Sequence, residues 1–276
     1  MPCMIDADVA RLYASVSQEY ALTPLATRDG WAYQQTGLGL LQMRAIAKYL
    51  PPDGLLVDIG TGMGIGPRFA RMLGSKVISL DSYDSAGVSA LENVRLVGVE
   101  GHSCDILRDP FPVESAQADC VLFGDVIEHL IHSPKPALLE ILRVLKPGGV
   151  CIVSTPNATR LTVRLKMLLG HSNWPSLQQY FNAPGHYGHH HEYTISDLRF
   201  AFEETGFVAE SLDLYEEGLR TEKIKTLDDM ATQGRSKIHR QSEPLRFRLA
   251  KVPLIALTQL IPSLRSSMLL IARKPA

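Results

Sequence analysis

The sequence predicts an α/β fold: a doubly wound, mostly parallel seven-stranded sheet with helices on both faces, built as one domain with insertions. Strand and helix signals alternate along most of the chain, which is typical of a parallel sheet covered on both sides. A cluster of glycines directly follows the first predicted strand. The length of 276 residues and the hydrophobic content of 45% provide a core large enough for such a domain.

The first predicted elements lead into the sheet. Apolar residues recur at helical spacing over 34–50, and that helix must stop at Pro51 and Pro52, because proline lacks the backbone donor that a helix needs. The short apolar run 55–59 is typical of a buried parallel strand. The same patterns then predict helix 66–73, strand 76–81, helix 85–93, a strand near 99–104, strand 118–124, helix 134–145, strand 149–155, helix 196–205 and strand 207–214.

Two stretches interrupt this alternation. Residues 156–195 contain a histidine-rich segment, and residues 216–265 are first polar and then apolar and basic, so both are predicted to be insertions over the sheet. The apolar run 267–273 is predicted to add the last strand. The expected division is an N-terminal lid or extension, 1–33, followed by the domain with its insertions, 34–276.

Charge and cysteine content narrow the classes of function. The chain has 28 Lys plus Arg against 29 Asp plus Glu, so no overall field favours nucleic acid. The first ten residues carry two acids and no apolar run, unlike a secretion signal, and we expect a cytoplasmic protein. The four cysteines are Cys3, Cys104, Cys120 and Cys151, and they lack the close pairing of a zinc site. The last three fall in predicted strands, where we expect buried thiols.

A glycine-rich loop follows the first strand. The segment Asp58-Ile-Gly60-Thr-Gly62-Met-Gly64 lets the backbone turn sharply and approach a ligand closely. The spacing fails as a dinucleotide fingerprint, because no frame supplies the third glycine of G-x-G-x-x-G, and this disfavours a nicotinamide enzyme. Asp81 ends the second strand about twenty residues later, as expected for a carboxylate that binds ribose hydroxyls.

With this loop and acid, the chain resembles the class I S-adenosylmethionine-dependent methyltransferases. Further matching segments are Cys104-Asp105-Ile106, the strand from Ala118 to Asp125, Glu128-His129-Leu130 and Leu142 to Gly149. The resemblance implies S-adenosyl-L-methionine as cofactor, with the methionine moiety at the glycines, ribose at Asp81, adenine at Asp105 and Ile106, and the sulfonium beside residues 123–125. The implied cofactor-binding residues are Asp58, Gly60, Thr61, Gly62, Gly64, Asp81, Ser82, Asp105, Ile106, Phe123, Gly124 and Asp125.

The residues that would act on the methyl acceptor are less sharply defined. Methyl transfer to a hydroxyl needs a nearby base, and His129 and His189 are the candidate catalytic residues. Asp125, Glu128, His129 and His189 also resemble the metal ligands of small-RNA 2′-O-methyltransferases and, for the first three, of ubiquinone-biosynthesis O-methyltransferases, where Glu replaces Asp125. The alternatives are a divalent metal site and a segment that only packs and hydrogen-bonds.

The acceptor and partners follow from these observations as expectations. A small-molecule, sugar or lipid-linked hydroxyl is the favoured acceptor; RNA 2′-O-methylation and a binding protein without chemistry are the alternatives. Residues 244–262 combine basic and apolar residues around Pro253, which interrupts the run and leaves it too short to span a bilayer. This stretch is expected either to pack on the sheet or to contact a membrane surface or lipid, and an exposed face there could also form an oligomer. Trp31 and Tyr33 are candidates for a lid over the cofactor.

Overall fold

Seven strands form a single sheet in the order β3-β2-β1-β4-β5-β7-β6, with β7 antiparallel to both of its neighbours and the other pairs parallel. The computed structural model describes residues 6–21, 37–62, 64–82, 94–95, 98–173, 181, 188–216 and 245–276. The strands are β1 (Leu55–Ile59), β2 (Lys76–Asp81), β3 (Glu100–Ser103), β4 (Ala118–Gly124), β5 (Leu145–Pro156), β6 (Val208–Tyr215) and β7 (Ser267–Arg273). The predicted fold class is confirmed.

The central strands are apolar on both faces, because each face of the sheet is covered. Successive side chains of a strand point to opposite sides, so Leu122 packs into one core cluster and Phe123 into the other. Neighbouring strands alternate in the same way and are almost fully buried. This two-sided burial explains why the central strands are continuous hydrophobic runs rather than alternating apolar and polar residues.

Helices cover both faces, as predicted. One core cluster includes α1 (Asp6–Ala21), α2 (Gly37–Tyr49) and α3 (Ile65–Met72), and the other includes α4 (Lys135–Val144) and α6 (Ile195–Glu203). α6 begins at Thr194, whose hydroxyl accepts the Asp197 amide in a capping box. The predicted helix at 85–93 and the proposed lid aromatics lie outside the described residues.

Sequence analysis predicted no helix before residue 34, but α1 packs in the core. Val9, Tyr13 and Val16 are at most 2% exposed, and their spacing places them along one stripe of the helix. This stripe contacts α2 and α3 on one face of the sheet. Residues 6–21 therefore belong to the structural core, and a lid role for the remainder of 1–33 stays a prediction.

Each predicted insertion contains a helix. α5 (Leu161–Leu168) follows β5, and α7 (Leu245–Leu260) precedes β7. Contrary to the expectation that Pro253 interrupts the second stretch, α7 continues through it, although proline removes one backbone donor there. Within the part of the chain that the structure describes, no helix is both long and apolar enough to cross a membrane.

The parallel arrangement brings several loops to one edge of the sheet. β1, β2, β4 and β5 run in the same direction, so the turns after Ile59, Asp81, Gly124 and Pro156 emerge at their carboxyl ends. The strand order reverses between β1 and β4, which is where open α/β sheets form a crevice for ligands. The predicted glycines at 60–64, Ser82 and the segment 125–129 fall on these turns, while Asp105 and Ile106 follow β3.

Candidate functional site

The glycine loop after β1 has the left-handed backbone that its sequence predicts. Gly60, Gly62 and Gly64 have φ angles of 72°, 52° and 76°. The Gly60 amide donates to the Leu80 carbonyl at 2.9 Å, which ties the loop to the end of β2. A Cβ at Gly60 would lie 2.2 Å from Val126 Cγ2, so the loop also packs directly on the turn after β4. Both the positive φ of Gly60 and its close approach to Val126 require a residue without a side chain.

Asp58 and Thr61 stabilise this loop through a buried hydrogen bond. Asp58 is 3% exposed and accepts the Thr61 hydroxyl at 2.7 Å. Burial raises the pKa of Asp58 to about 7, against the lowering effect of hydrogen bonds from Thr61 and Ser79, while the nearby Asp81 charge raises it further. Asp58 is therefore a structural carboxyl beneath the loop that also lines the cavity described below.

Asp81 connects the glycine loop to the end of the second strand. Its Oδ2 accepts the Gly62 amide at 3.2 Å, and its Oδ1 accepts the Ser82 amide at 2.8 Å. The Cys104 amide donates to the Asp81 carbonyl at 3.0 Å, so Asp105 follows immediately at the neighbouring strand end. Asp81 therefore links the glycine loop to the ends of β2 and β3.

A cavity of about 210 Å³ lies between the loop, the end of β4 and helix α2. Of the predicted cofactor residues, six line it; Gly64, Asp81, Ser82, Asp105, Ile106 and Phe123 do not. The Phe123 ring is fully buried in the core, so only its backbone can lie beside a ligand. The lining residues are Gly39, Gln42, Met43, Asp58, Gly60, Thr61, Gly62, Ile65, Gly66, Pro67, Leu122, Gly124 and Asp125.

Helix α2 contributes a polar residue that sequence analysis missed. Gln42 Nε2 donates to Ser154 Oγ at 2.7 Å, and it passes so close to Gly124 that a Cβ there would lie 2.6 Å away. In the sequence Gln42 is one of several polar residues of α2, as are Arg44 and Lys48, and its partner is 112 residues away. Gly124 is therefore a position where a side chain would displace the amide of Gln42.

Asp125 lies at the end of β4 in an unusual conformation. Its φ is 55°, a left-handed value that few residues other than glycine adopt, and its amide donates to the Ser154 carbonyl at 2.8 Å. Burial raises its pKa, which hydrogen bonds from Ser154 and Gln42 and the positive charge of His189 oppose. Its buried Oδ1 has no hydrogen-bond partner among the described residues. Such strain and unsatisfied polarity are typical of ligand sites.

Glu128 is buried in the short 3₁₀ helix Ile127–His129 that follows. Its Oε2 accepts the Thr155 hydroxyl at 2.9 Å, whereas its buried Oε1 has no partner among the residues described. Burial and the neighbouring charge of Asp125 raise the pKa of Glu128 to about 8, with hydrogen bonds and His189 acting in the opposite direction. The Glu128 carbonyl also accepts the His190 amide at 2.7 Å, which links this 3₁₀ helix to the histidine-rich segment of the first insertion.

His129 and His189 meet beside Glu128. Their rings are 4.9 Å apart in an edge-on arrangement, and His129 Nδ1 lies 3.2 Å from the Gly188 carbonyl. One ligand atom from each of Glu128, His129 and His189 lies within 4.8 Å of the others. The structure thus brings together three of the four predicted metal ligands. Asp125 is outside this group, although it interacts electrostatically with both Glu128 and His189.

A partly buried ion-pair network that the sequence does not predict supports His189. His189 Nδ1 lies 2.7 Å from Glu192 Oε1, and Arg160 donates two hydrogen bonds to the Glu192 carboxylate at 2.5 and 3.0 Å. Asn173 donates to the same carboxylate at 2.8 Å. Burial opposes ionisation of Glu192, yet hydrogen bonds from His189 and Arg160 lower its pKa to about 2. The hydrogen bond to Glu192 in turn raises the pKa of His189.

Comparison with known proteins identifies the family to which this site belongs. A family model described as a methyltransferase domain matches residues 32–212, well over half of the chain. The chain belongs to that family. It is a class I S-adenosylmethionine-dependent methyltransferase by sequence and fold, and the cofactor of the family is S-adenosylmethionine. The resemblance drawn from the glycine loop and Asp81 is confirmed at this level.

Curated relatives of this methyltransferase domain differ in what they act on. A ribosomal protein L11 methyltransferase of Listeria innocua is 30% identical over 119 residues, 41% of this chain and 36% of the relative. A mitochondrial ubiquinone biosynthesis O-methyltransferase of Dictyostelium discoideum is 29% identical over 126 residues, 41% of this chain and 39% of the relative. The matches therefore span about two fifths of the length of these relatives.

Solved structures agree on the fold. A S-adenosylmethionine-dependent methyltransferase of Archaeoglobus fulgidus matches with a TM-score of 0.58 and 16% identity, covering 90% of this chain and 100% of that one. At such low identity the match shows the shared architecture alone. The methyl acceptor has to be inferred from the site itself.

Proposed function

We propose that the protein transfers the methyl group of S-adenosylmethionine to a hydroxyl oxygen of a small, sugar-like or lipid-linked molecule. One observation carries the proposal: Asp125 lines the glycine-loop cavity and also interacts electrostatically with Glu128 and His189, so a donor site adjoins a cluster of titratable groups. A methyl donor and a base are the two requirements for methylating a hydroxyl. The similarity to an O-methyltransferase of ubiquinone biosynthesis supports an oxygen acceptor.

The fit of the cofactor supports this assignment. The cavity has glycine backbone at 60 and 62 and the unsatisfied Asp125 Oδ1, which suits the positively charged, methionine end of the cofactor. Asp81, at the end of β2, would hold the ribose hydroxyls, while Asp105 and Ile106 would frame the adenine at the next strand end. When bound, the cofactor supplies an electrophilic methyl group.

His189 is the candidate base. Glu192 binds its Nδ1, so that nitrogen carries the proton when the ring is neutral, and Nε2 is then the acceptor. An acceptor hydroxyl near Nε2 would transfer its proton there as the oxygen attacks the methyl carbon. Arg160 and Asn173 keep Glu192 in place, and His129 lies edge-on to the His189 ring. The residues thus orient the base before the acceptor arrives.

As an alternative to the base role of His189, the same cluster fits a divalent cation. Two imidazoles and the unpaired Glu128 Oε1 provide mixed nitrogen and oxygen donors, which suit Mn, Fe or Zn, and Mg to a lesser extent. Glu128, His129 and His189 would hold the ion, with Asp125 close enough to interact with its charge. A bound cation would lower the pKa of an acceptor hydroxyl. Glu192 would then orient His189 as a ligand.

The direct test is methyl transfer from labelled S-adenosylmethionine to a small-molecule extract, with S-adenosylhomocysteine binding measured by calorimetry. We expect label in the small-molecule fraction, and its loss in His189→Ala with cofactor binding retained. His191→Ala is a matched control, because the exposed His191 ring contacts Tyr193, and the backbone amide that His191 donates to the Glu128 carbonyl is retained in alanine. Label only in RNA or protein, or binding without any transfer, would contradict the proposal. Full activity after complete metal removal would exclude the cation.

A further inference from the structure

Two helices at the carboxyl edge of the sheet expose large apolar side chains. In and just after α5, Met167 is 64% exposed, Leu168 81% and Leu169 73%. In α7, Val252 is 55% exposed and Leu260 80%. A helix with apolar residues on most of its surface is normally buried, and contiguous exposed apolar patches mark interaction sites.

Both helices leave the sheet at the same point. Asn157, directly after β5, donates from Nδ2 to the Ser263 carbonyl at 2.9 Å and to the Arg265 carbonyl at 2.8 Å. Pro156 pairs with Ser267, so the end of β5 and the start of β7 are adjacent. α5 and α7 therefore flank the edge that also carries Glu128, because Glu128 binds Thr155 near the end of β5.

The charged residues of the two helical segments themselves are all basic, and one of them, Arg160, is paired with Glu192. Segments 157–173 and 245–266 contain no Asp or Glu, in a chain whose net charge is only −1. Arg164 and Lys166 are exposed between the apolar residues of α5. The basic residues of the two segments are Arg160, Arg164, Lys166, Arg246, Arg248, Lys251 and Arg265.

We propose that α5 and α7 form a docking face, residues 164–169 and 252–261, that rests on a membrane surface containing anionic lipids. Apolar side chains that enter the headgroup region, together with Lys and Arg, are the two components of such binding. A second copy of the chain fits less well, because symmetric pairing would bring basic residues against basic residues. If the proposed methyl transfer also holds, docking would present the site to a lipid-phase acceptor; this consequence, unlike the docking itself, rests on the proposed function.

Co-sedimentation of the full chain with vesicles tests the docking face. We expect binding to phosphatidylcholine mixed with an equal amount of phosphatidylglycerol, at least about tenfold tighter than to phosphatidylcholine alone, and weakened by salt. The double variant Leu168→Glu and Leu169→Glu should lose at least about tenfold in binding. Phe200→Glu, which alters a 65% exposed side chain on α6, should bind as the parent does.

A charge pair of variants separates electrostatic attraction from apolar contact. Lys166→Gln should weaken binding to anionic vesicles about fivefold and leave neutral vesicles unaffected, while Lys135→Gln on α4 should change neither. Calorimetric binding of S-adenosylhomocysteine shows that each variant is folded. Absence of binding to anionic vesicles, or equal binding by the double glutamate variant, would overturn the proposal. So would a dimer that the same glutamates dissociate. None of these measurements requires methyl transfer.

Discussion

Replacing Gly60 with alanine is expected to destabilise the glycine loop for two separable reasons. Its φ of +72° lies where a side chain costs about 1–2 kcal/mol. The added Cβ would also lie 2.2 Å from Val126 Cγ2, far inside the contact distance of about 3.5 Å between carbon atoms. Relieving such overpacking typically costs about 1–3 kcal/mol. The free energy of unfolding should therefore fall by about 2–5 kcal/mol.

Gly74 provides the matched control. It has a φ of +87°, but a Cβ there meets nothing within 4 Å, so Gly74→Ala should lose only the backbone part, about 1–2 kcal/mol. Urea denaturation measures both losses. In calorimetry, Gly60→Ala should weaken S-adenosylhomocysteine binding at least about tenfold, equivalent to 1.4 kcal/mol, because the loop must shift away from Val126. Gly74→Ala should not alter that affinity.

A double-mutant cycle with Val126→Ala isolates the steric part. Truncating Val126 removes the Cγ2 that the new Cβ would overlap, so the loss caused by Gly60→Ala should be smaller in that background than in the parent. Equal losses in the two backgrounds, or equal losses for Gly60→Ala and Gly74→Ala, would refute the reasoning. The loop would then not depend on its contact with the turn after β4.

Three further predictions concern single carboxylates. Burial raises the pKa of Asp58 from 3.8 to about 7, so its contribution to stability is complete below pH 3.8 and is lost as the pH rises through about 7. In Asp58→Asn, the free energy of unfolding should therefore decline less over this pH range, by up to about 4 kcal/mol. Parallel profiles of urea stability for the parent and the variant from about pH 4 to 8 would contradict this. Asp81→Asn should weaken S-adenosylhomocysteine binding at least about tenfold by calorimetry, while Asp53→Asn, an exposed change, should not; equal affinities would remove Asp81 from the cofactor site. Glu192→Gln should slow single-turnover methyl transfer at least about tenfold with cofactor affinity unchanged, since His189 loses its charged partner; an unchanged rate would show that Glu192 does not position the base.

The sheet could be predicted closely because its signals are local. β1, β2, β4 and β7 have the predicted bounds, since each is a short, mainly apolar run bounded by turn or charged residues. α1 was missed because two of the five buried residues described in it are alanines and polar residues separate the others. Its helical packing depends on α2 and α3, and local sequence does not reveal such contacts.

The residues of the candidate site likewise fall into two groups, those that the sequence predicts and those that it does not. Gly60 and Asp81 could be predicted because loop geometry and strand ends follow from the order of residues along the chain. Gln42, Arg160 and Glu192 could not, because their roles arise from contacts between residues 112 and 32 positions apart. A glutamine on a helix or an arginine after a strand can have many structural roles, and the packing of distant segments determines which role it has.

This division has a physical origin in the sheet topology. The proposed donor side uses the ends of β1, β2 and β3, where the glycine loop and backbone hydrogen bonds between strand ends restrict the sequence. The proposed acceptor side uses the ends of β4 and β5 together with the two insertions, where side chains from distant segments meet around Glu128 and Asn157. Because the backbone restricts which residues fit there, the cofactor-binding loop has a motif that can be recognised in the sequence. The acceptor side can change its substrate through the insertions without disturbing that motif, and for this reason the family could be inferred from sequence while the acceptor requires the structure.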